Sequence, residues 1–183
     1  MKEHDKHRIK GYKIAASAVA AWLIYLAIDF LLHAVIFAHW WKATESYWLS
    51  PQELFHRIPF AYALFAIYCL VLTWLIVRIY GDRRTFGAAL RFGAITGLVF
   101  GFSTILAIYS VIRIPASALL VWPGSFLIES TVACVIANWV LDAERPWRRV
   151  ILIFGITILL IIVSVVLQNI IYPTNASSVF EKG

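Results

Sequence analysis

Apolar residues fill five long stretches of the chain, at approximately 14–38, 59–79, 87–112, 118–141 and 149–171, and most charged residues lie between them. A spanning helix needs about 20 apolar residues to cross roughly 30 Å of hydrocarbon, and every stretch reaches that length. Lipid offers no hydrogen-bond partner to backbone N–H and C=O groups, so apolar runs this long are helical. The pattern predicts an all-α fold: a polytopic membrane protein whose five-helix transmembrane bundle occupies 14–171 as one domain. A basic N-terminal segment, 1–13, precedes it and a polar tail, 172–183, comes after it. The first stretch is too long for a signal-peptide core, and no small-residue cleavage site follows it at Trp40–Trp41, which marks it as a retained span.

The stretches differ in kind. Ala89, Gly93, Gly97 and Gly101 recur every four residues in the third, a doubled small-xxx-small stripe of the sort that lets two helix backbones approach closely. The partner could be another span or a second protein. In the fourth, Glu129, Ala133 and Ala137 share the same spacing, which turns the carboxylate toward protein rather than lipid. The fifth is nearly uniform in Ile, Leu and Val, broken only by Thr157 and Ser164, and suits a helix with lipid on most sides. A four-helix core with a peripheral fifth helix is therefore expected.

Among the connections, the one at roughly 42–58 is the longest. Ser50-Pro51-Gln52-Glu53 carries an N-cap, a proline at the first helical position and a capping-box glutamate. It predicts a short outside interfacial helix near 51–57, with Leu54 and Phe55 against the membrane surface and Pro59 ending or kinking it. Trp122-Pro123-Gly124 is expected to bend or delay the fourth helix.

At 183 residues, with mean hydropathy +0.81 and 14% charged residues, the chain leaves no room for a separate soluble domain. The net charge of +6 and pI near 9.5 could suggest nucleic acid, but the placement of the charges argues against that partner. Lys2, Lys6, Arg8, Lys10 and Lys13 precede the first span; Arg78, Arg83, Arg84 and Arg91 bracket the second connection; Arg145, Arg148 and Arg149 bracket the fourth. Only Lys42, Arg57, Arg113 and Lys182 fall on the other side. Basic residues concentrated on alternate connections follow the positive-inside rule, giving a cytoplasmic N-terminus and an outside C-terminus. The basic face could also hold anionic lipid headgroups. Tyr12, Tyr80, Trp139 and Trp147 read as an inner aromatic belt, and Trp40, Trp41, Tyr47, Trp48, Tyr109 and Tyr172 as an outer one. Cys69 and Cys134 read as small buried thiols, and Asn175-Ala176-Ser177 matches a glycosylation sequon.

The candidate chemistry lies in charges that interrupt the apolar runs. Asp29 and His33 stand one turn apart on one helix face. From helical rise, Asp29 lies roughly 20 Å and His33 roughly 26 Å above the inner boundary, with Glu129 roughly 16 Å below the outer one. The three could share a cavity in the outer half of the bundle, joined by His39 and His56 only if the outside connection folds over. Ionisable groups inside a membrane cost roughly 2.5–3.5 kcal/mol or more and often have a task. Here they could form a polar packing cluster, with Glu129 bonded to Ser103, Thr104 or Tyr25. They could instead form an ion or proton route, or a metal site with Asp29, His33 and Glu129 as ligands. No cofactor is expected beyond that metal possibility. Arg91 and Arg113 are close enough to the boundaries to snorkel, and Asn138 is expected to bond within the bundle. No P-loop, nucleophile elbow or H-E-x-x-H motif is present.

Asp29-x-x-x-His33 followed by Trp40-Trp41, the Arg91-Phe92-Gly93…Gly97…Gly101 helix and the Trp122-Pro123-Gly124 step resemble small, uncharacterised bacterial inner-membrane protein families with a four-helix transmembrane core. The likeness covers roughly 14–141; it implies that fold and a bacterial source, and it supplies no activity. The leading expectation is a non-enzymatic accessory, assembly or interaction protein of the bacterial inner membrane. Its partners would be the lipid bilayer and another membrane protein or a second copy, met through the glycine stripe and the fifth helix. A small transporter or ion/proton-coupled carrier built on Asp29, His33 and Glu129 is the main alternative, and a metal-binding membrane enzyme the third.

Overall fold

The structure is a computed structural model, and it describes residues 9–111, 113–115 and 119–172. Helix α1, Gly11–Leu31, runs directly into one π-helical turn at Leu32–Ile36. A short α2, Ala38–Ala43, and a 3-10 turn, Glu45–Tyr47, lead to α3, Pro51–Tyr80. Then come α4, Phe86–Val111, α5, Val121–Leu141, and α6, Pro146–Ile171. Among the described residues there is no strand. Five helices (α1 with its π turn, then α3 to α6) are long and apolar enough to cross a membrane, as befits a multi-pass membrane protein. Lys2, Lys6, Arg8, residue 112, the expected start of the fourth span at 118, Asn175 and Lys182 lie outside the described residues.

Helices α1 and α5 form the centre. Alanines at 16, 20, 21 and 27 and Ser17 are buried along α1, and these short side chains let three neighbours approach it. Its contacts run to α5, α6 and α3. Ala16, Ala20 and Ile24 pack with Val140, Val150 and Ile153, while Ala21 and Tyr25 pack with Cys69, Phe126, Ala133 and Ala137. The buried face of α6 includes Val150, Ile153, Thr157 and Ser164, so its two polar interruptions both point inward. Most of the rest of α6 is exposed, which agrees with a peripheral helix.

Helix α4 joins the core through its seam with α5, although it is the least buried of the five spans. It holds to the bundle through one face, and its buried residues are Ala89, Gly93, Gly97 and Gly101. That stripe packs against α5 within the same chain. A Cβ at Gly93 would stand 2.6 Å from the Ser130 carbonyl oxygen, and one at Gly101 would stand 2.6 Å from Pro123 Cα. At Gly97 it would collide with the Phe126 carbonyl oxygen. Away from that stripe α4 carries large apolar side chains, and Ile95, Val99, Phe102 and Leu106 stay exposed.

The interfacial helix expected near 51–57 is the first part of α3 rather than a separate element. Ser50 caps it: its hydroxyl accepts from the Glu53 N–H at 3.3 Å, and the Glu53 carboxylate accepts from the Ser50 N–H at 3.1 Å. Pro59 lies inside the helix without ending it. A proline removes one backbone donor, and the carbonyl it leaves free is that of the highly exposed Phe55, where a polar headgroup or water can satisfy it. Pro123 is likewise accommodated within α5. It falls in the first turn, where the N–H has no partner within the helix to lose.

The two ends of the bundle contrast. At one, Arg84 pairs with Asp142 at 3.4 Å, joining the α3–α4 and α5–α6 connections. Arg149 lies over the Trp139 ring at 4.4 Å and donates to its carbonyl oxygen. At the other, Trp48 packs beside Ile105, Ile108, Ile114 and Leu119. Cys69 and Cys134 are buried free thiols.

Candidate functional site

Tyr25, Asp29 and His33 succeed one another at steps of four along α1, so one face of this helix carries three polar groups. The side chain of Glu129 reaches this face from α5, with 1% of the residue exposed. His33 Nε2 lies 3.3 Å from Asp29 Oδ1 and 3.9 Å from Glu129 Oε1. One ligand atom from each of the three lies within 4.8 Å of the others. Asp29 and His33 keep side-chain exposures of 22% and 26%, so the cluster is open on one side and closed on the other.

The backbone around His33 departs from a straight helix. Leu32–Ile36 forms a π turn closed by the Phe37 N–H on the Leu32 carbonyl at 2.7 Å. Such a turn inserts one residue into an α-helix and re-aims the chain beyond it, and it recurs at functional positions. Phe37 then leaves helical geometry at φ −102°, ψ 9°, and α2 begins in a new direction. The result brings Trp41 back over His33: its indole N–H donates to His33 Nδ1 at 2.9 Å.

Trp41 belongs to an aromatic roof rather than a belt. Its ring lies 5.0 Å from Trp48 and 6.2 Å from Trp122, and Trp48 stacks on Trp122 at 20°. Thr44, itself buried, holds Trp48 by accepting its indole N–H at 2.9 Å while donating to the Trp40 carbonyl. Trp40, Tyr47 and Tyr109 are exposed, as belt residues are. A tryptophan pair at a membrane boundary reads as a belt from sequence alone; the spacing of eight from His33 to Trp41 was the one signal of a contact.

His39 and His56 do not join the cluster. Both are exposed, and His56 touches only the neighbouring Phe55 among ring contacts. Two residues apart on a helix is about 200°, so an inward Trp41 turns His39 outward. Of the partners expected for Glu129, Ser103 is exposed and Thr104 donates back to the Phe100 carbonyl at 2.9 Å. Tyr25 is the expected partner that stands beside Glu129: it is fully buried, and its hydroxyl interacts with the Glu129 carboxyl. Two buried polar atoms near this region, Glu129 Oε1 and Trp122 Nε1, have no hydrogen-bond partner of standard geometry among the described residues. Asn138 Oδ1 also lacks one, against the expectation that it bonds within the bundle. Beyond the roof, the polar contacts are more routine: Tyr68 and Ser130 share a hydrogen bond at 3.0 Å, and the Trp22 indole donates to the Tyr62 carbonyl at 3.1 Å.

Charge decides what this arrangement can do. Among the described residues no lysine or arginine lies within ion-pair distance of Asp29 or Glu129. Indole N–H groups only donate, so a bond from Trp41 requires an unprotonated Nδ1 and leaves the imidazole neutral with its proton on Nε2. Two carboxyl groups therefore share the site with one N–H and no fixed positive charge. Carboxyl groups so placed can hold a proton or, when ionised, draw a cation, and in low dielectric that attraction is strong. No family model matches the chain, and neither curated proteins nor solved structures give a match.

Proposed function

We propose that the protein is a small ion- or proton-coupled carrier of the bacterial inner membrane, with Asp29, His33 and Glu129 as the cation-exchanging centre. The observation that carries this reading is a buried Glu129 facing Asp29 and a neutral His33 with no fixed cation beside them. A cluster serving packing alone would satisfy its own polar atoms, because an unpaired buried donor or acceptor costs about 1–3 kcal/mol. Here Glu129 Oε1 and Trp122 Nε1 are left over, and a transient proton, ion or small polar solute would satisfy them. Asp29 and His33 supply the open side from which exchange proceeds. The concentration of basic residues on alternate connections supports an N-terminus in the cytoplasm and a C-terminus outside. With that orientation the cluster belongs to the outer half of the membrane.

The test is flux in proteoliposomes. Wild-type protein should dissipate an imposed pH or monovalent-cation gradient, and Glu129→Gln should fall to the rate of empty liposomes while remaining folded. Wild-type flux equal to that of empty liposomes for protons, sodium and potassium alike would overturn the reading.

An accessory or assembly role is the second reading, and the long exposed apolar sides of α4 and α6 favour it. The glycine stripe no longer contributes to it, since α5 occupies that face. A native complex in which an Ile95 or Val99 substitution releases a partner protein would support it.

A further inference from the structure

We infer that Trp41 selects the class of cation the Asp29–His33–Glu129 cluster accepts, restricting it to protons and hard, oxygen-seeking ions. The inference rests on the cation-exchange reading above, and it makes Trp41 a positioning residue that acts through His33.

Imidazole ligates a metal through a nitrogen lone pair. The nitrogen facing the carboxylates is Nε2, at 3.3 Å from Asp29 and 3.9 Å from Glu129. For Nε2 to bind zinc or a similar metal, the ring proton would have to move to Nδ1. That nitrogen already accepts the Trp41 N–H at 2.9 Å, and two N–H groups cannot face each other there. A metal-ligating histidine ordinarily has the opposite arrangement, with its far nitrogen donating to a carboxylate or carbonyl. The indole thus withholds the nitrogen ligand, and the cluster offers carboxylate oxygens alone. Oxygen-only sites suit protons and hard cations, whereas borderline metals favour imidazole.

Trp41 is fixed well enough to enforce this. It packs on Trp48 and Trp122, and Thr44 anchors Trp48. The π turn and the break at Phe37 give the indole its line of approach. On the other side, the buried Glu129 Oε1, without a hydrogen-bond partner, marks where the cation would sit.

The experiment uses full-length protein in lipid nanodiscs with 15N-labelled histidine. The chain has five histidines, and His39→Gln and His56→Gln help to assign the His33 signals without touching the cluster. Wild-type protein should show His33 protonated on Nε2 and unchanged by added zinc. Trp41→Phe and Trp41→Met, which lack the N–H, should free the tautomer and raise zinc affinity roughly 10- to 100-fold, the usual range for a partner one step behind a metal ligand. A wild-type His33 protonated on Nδ1 would overturn the inference without any variant, and so would zinc binding equally tight in wild type and variants. The flux assay stays separate: absent flux with the expected tautomer and zinc response removes the carrier role and leaves the Trp41 assignment standing.

Discussion

Helix α5 has two working sides, and they are built on opposite terms. Toward α4 it meets a stripe of small residues so closely that backbone atoms of Ser130, Phe126 and Pro123 fill the space where side chains would begin. Toward α1 it presents Glu129 to Asp29 and His33, and polar atoms there lack partners. Shape alone fixes the first seam, and it has no freedom to do anything else. On the proposed carrier reading, the second gives up complete hydrogen bonding for a group that would exchange charge. One helix can thus carry an immobile joint and a polar cluster, provided the two lie on different faces.

The largest expected effect comes from spoiling the dry seam. Gly97→Leu should cost more than about 3 kcal/mol, beyond the usual 1–3 kcal/mol for overpacking, because the obstacle is the Phe126 backbone rather than a flexible side chain. Thermal unfolding in detergent would measure it. A variant that melts like wild type would show that α4 does not dock as described. On the wet seam, Glu129→Gln should change stability by about 1 kcal/mol or less while removing flux, since the amide keeps the shape and loses the charge. Loss of flux only in step with loss of fold would erase the distinction between the two sides. Tyr68→Phe removes the hydroxyl that meets Ser130 and should cost about 0.5–1.5 kcal/mol, with flux intact. The smallest effects belong to His39→Ala and His56→Ala, which should alter neither melting nor flux because both side chains face away from the cluster.

How much of this the sequence showed depends on range. The five spans were legible because length and hydropathy are local properties, and the capping box at Ser50 and Glu53 was legible for the same reason. The steps of four among Gly93, Gly97 and Gly101 showed that a close seam exists, though not that α5 fills it, since periodicity describes one helix and not its neighbour. Helical rise put Asp29, His33 and Glu129 at compatible depths, and the structure brings them within reach of one another. The missed features are those where the chain leaves regular geometry. Nothing in Leu32–Ile36 announces a π turn, so the spacing of eight between His33 and Trp41 was not enough to show that the indole meets the imidazole. Pro59 misled in the other direction, because the cost of a proline depends on whether the carbonyl it strands is exposed.

The unbroken course of α3 has a consequence for the surrounding lipid. Its 30 residues measure about 45 Å end to end, against roughly 30 Å of hydrocarbon. Such an excess is absorbed by leaning over or by standing proud of the surface. The capped end, with Phe55 and His56 exposed, would then sit at headgroup level like an outrigger, making the protein responsive to how thick its host bilayer is.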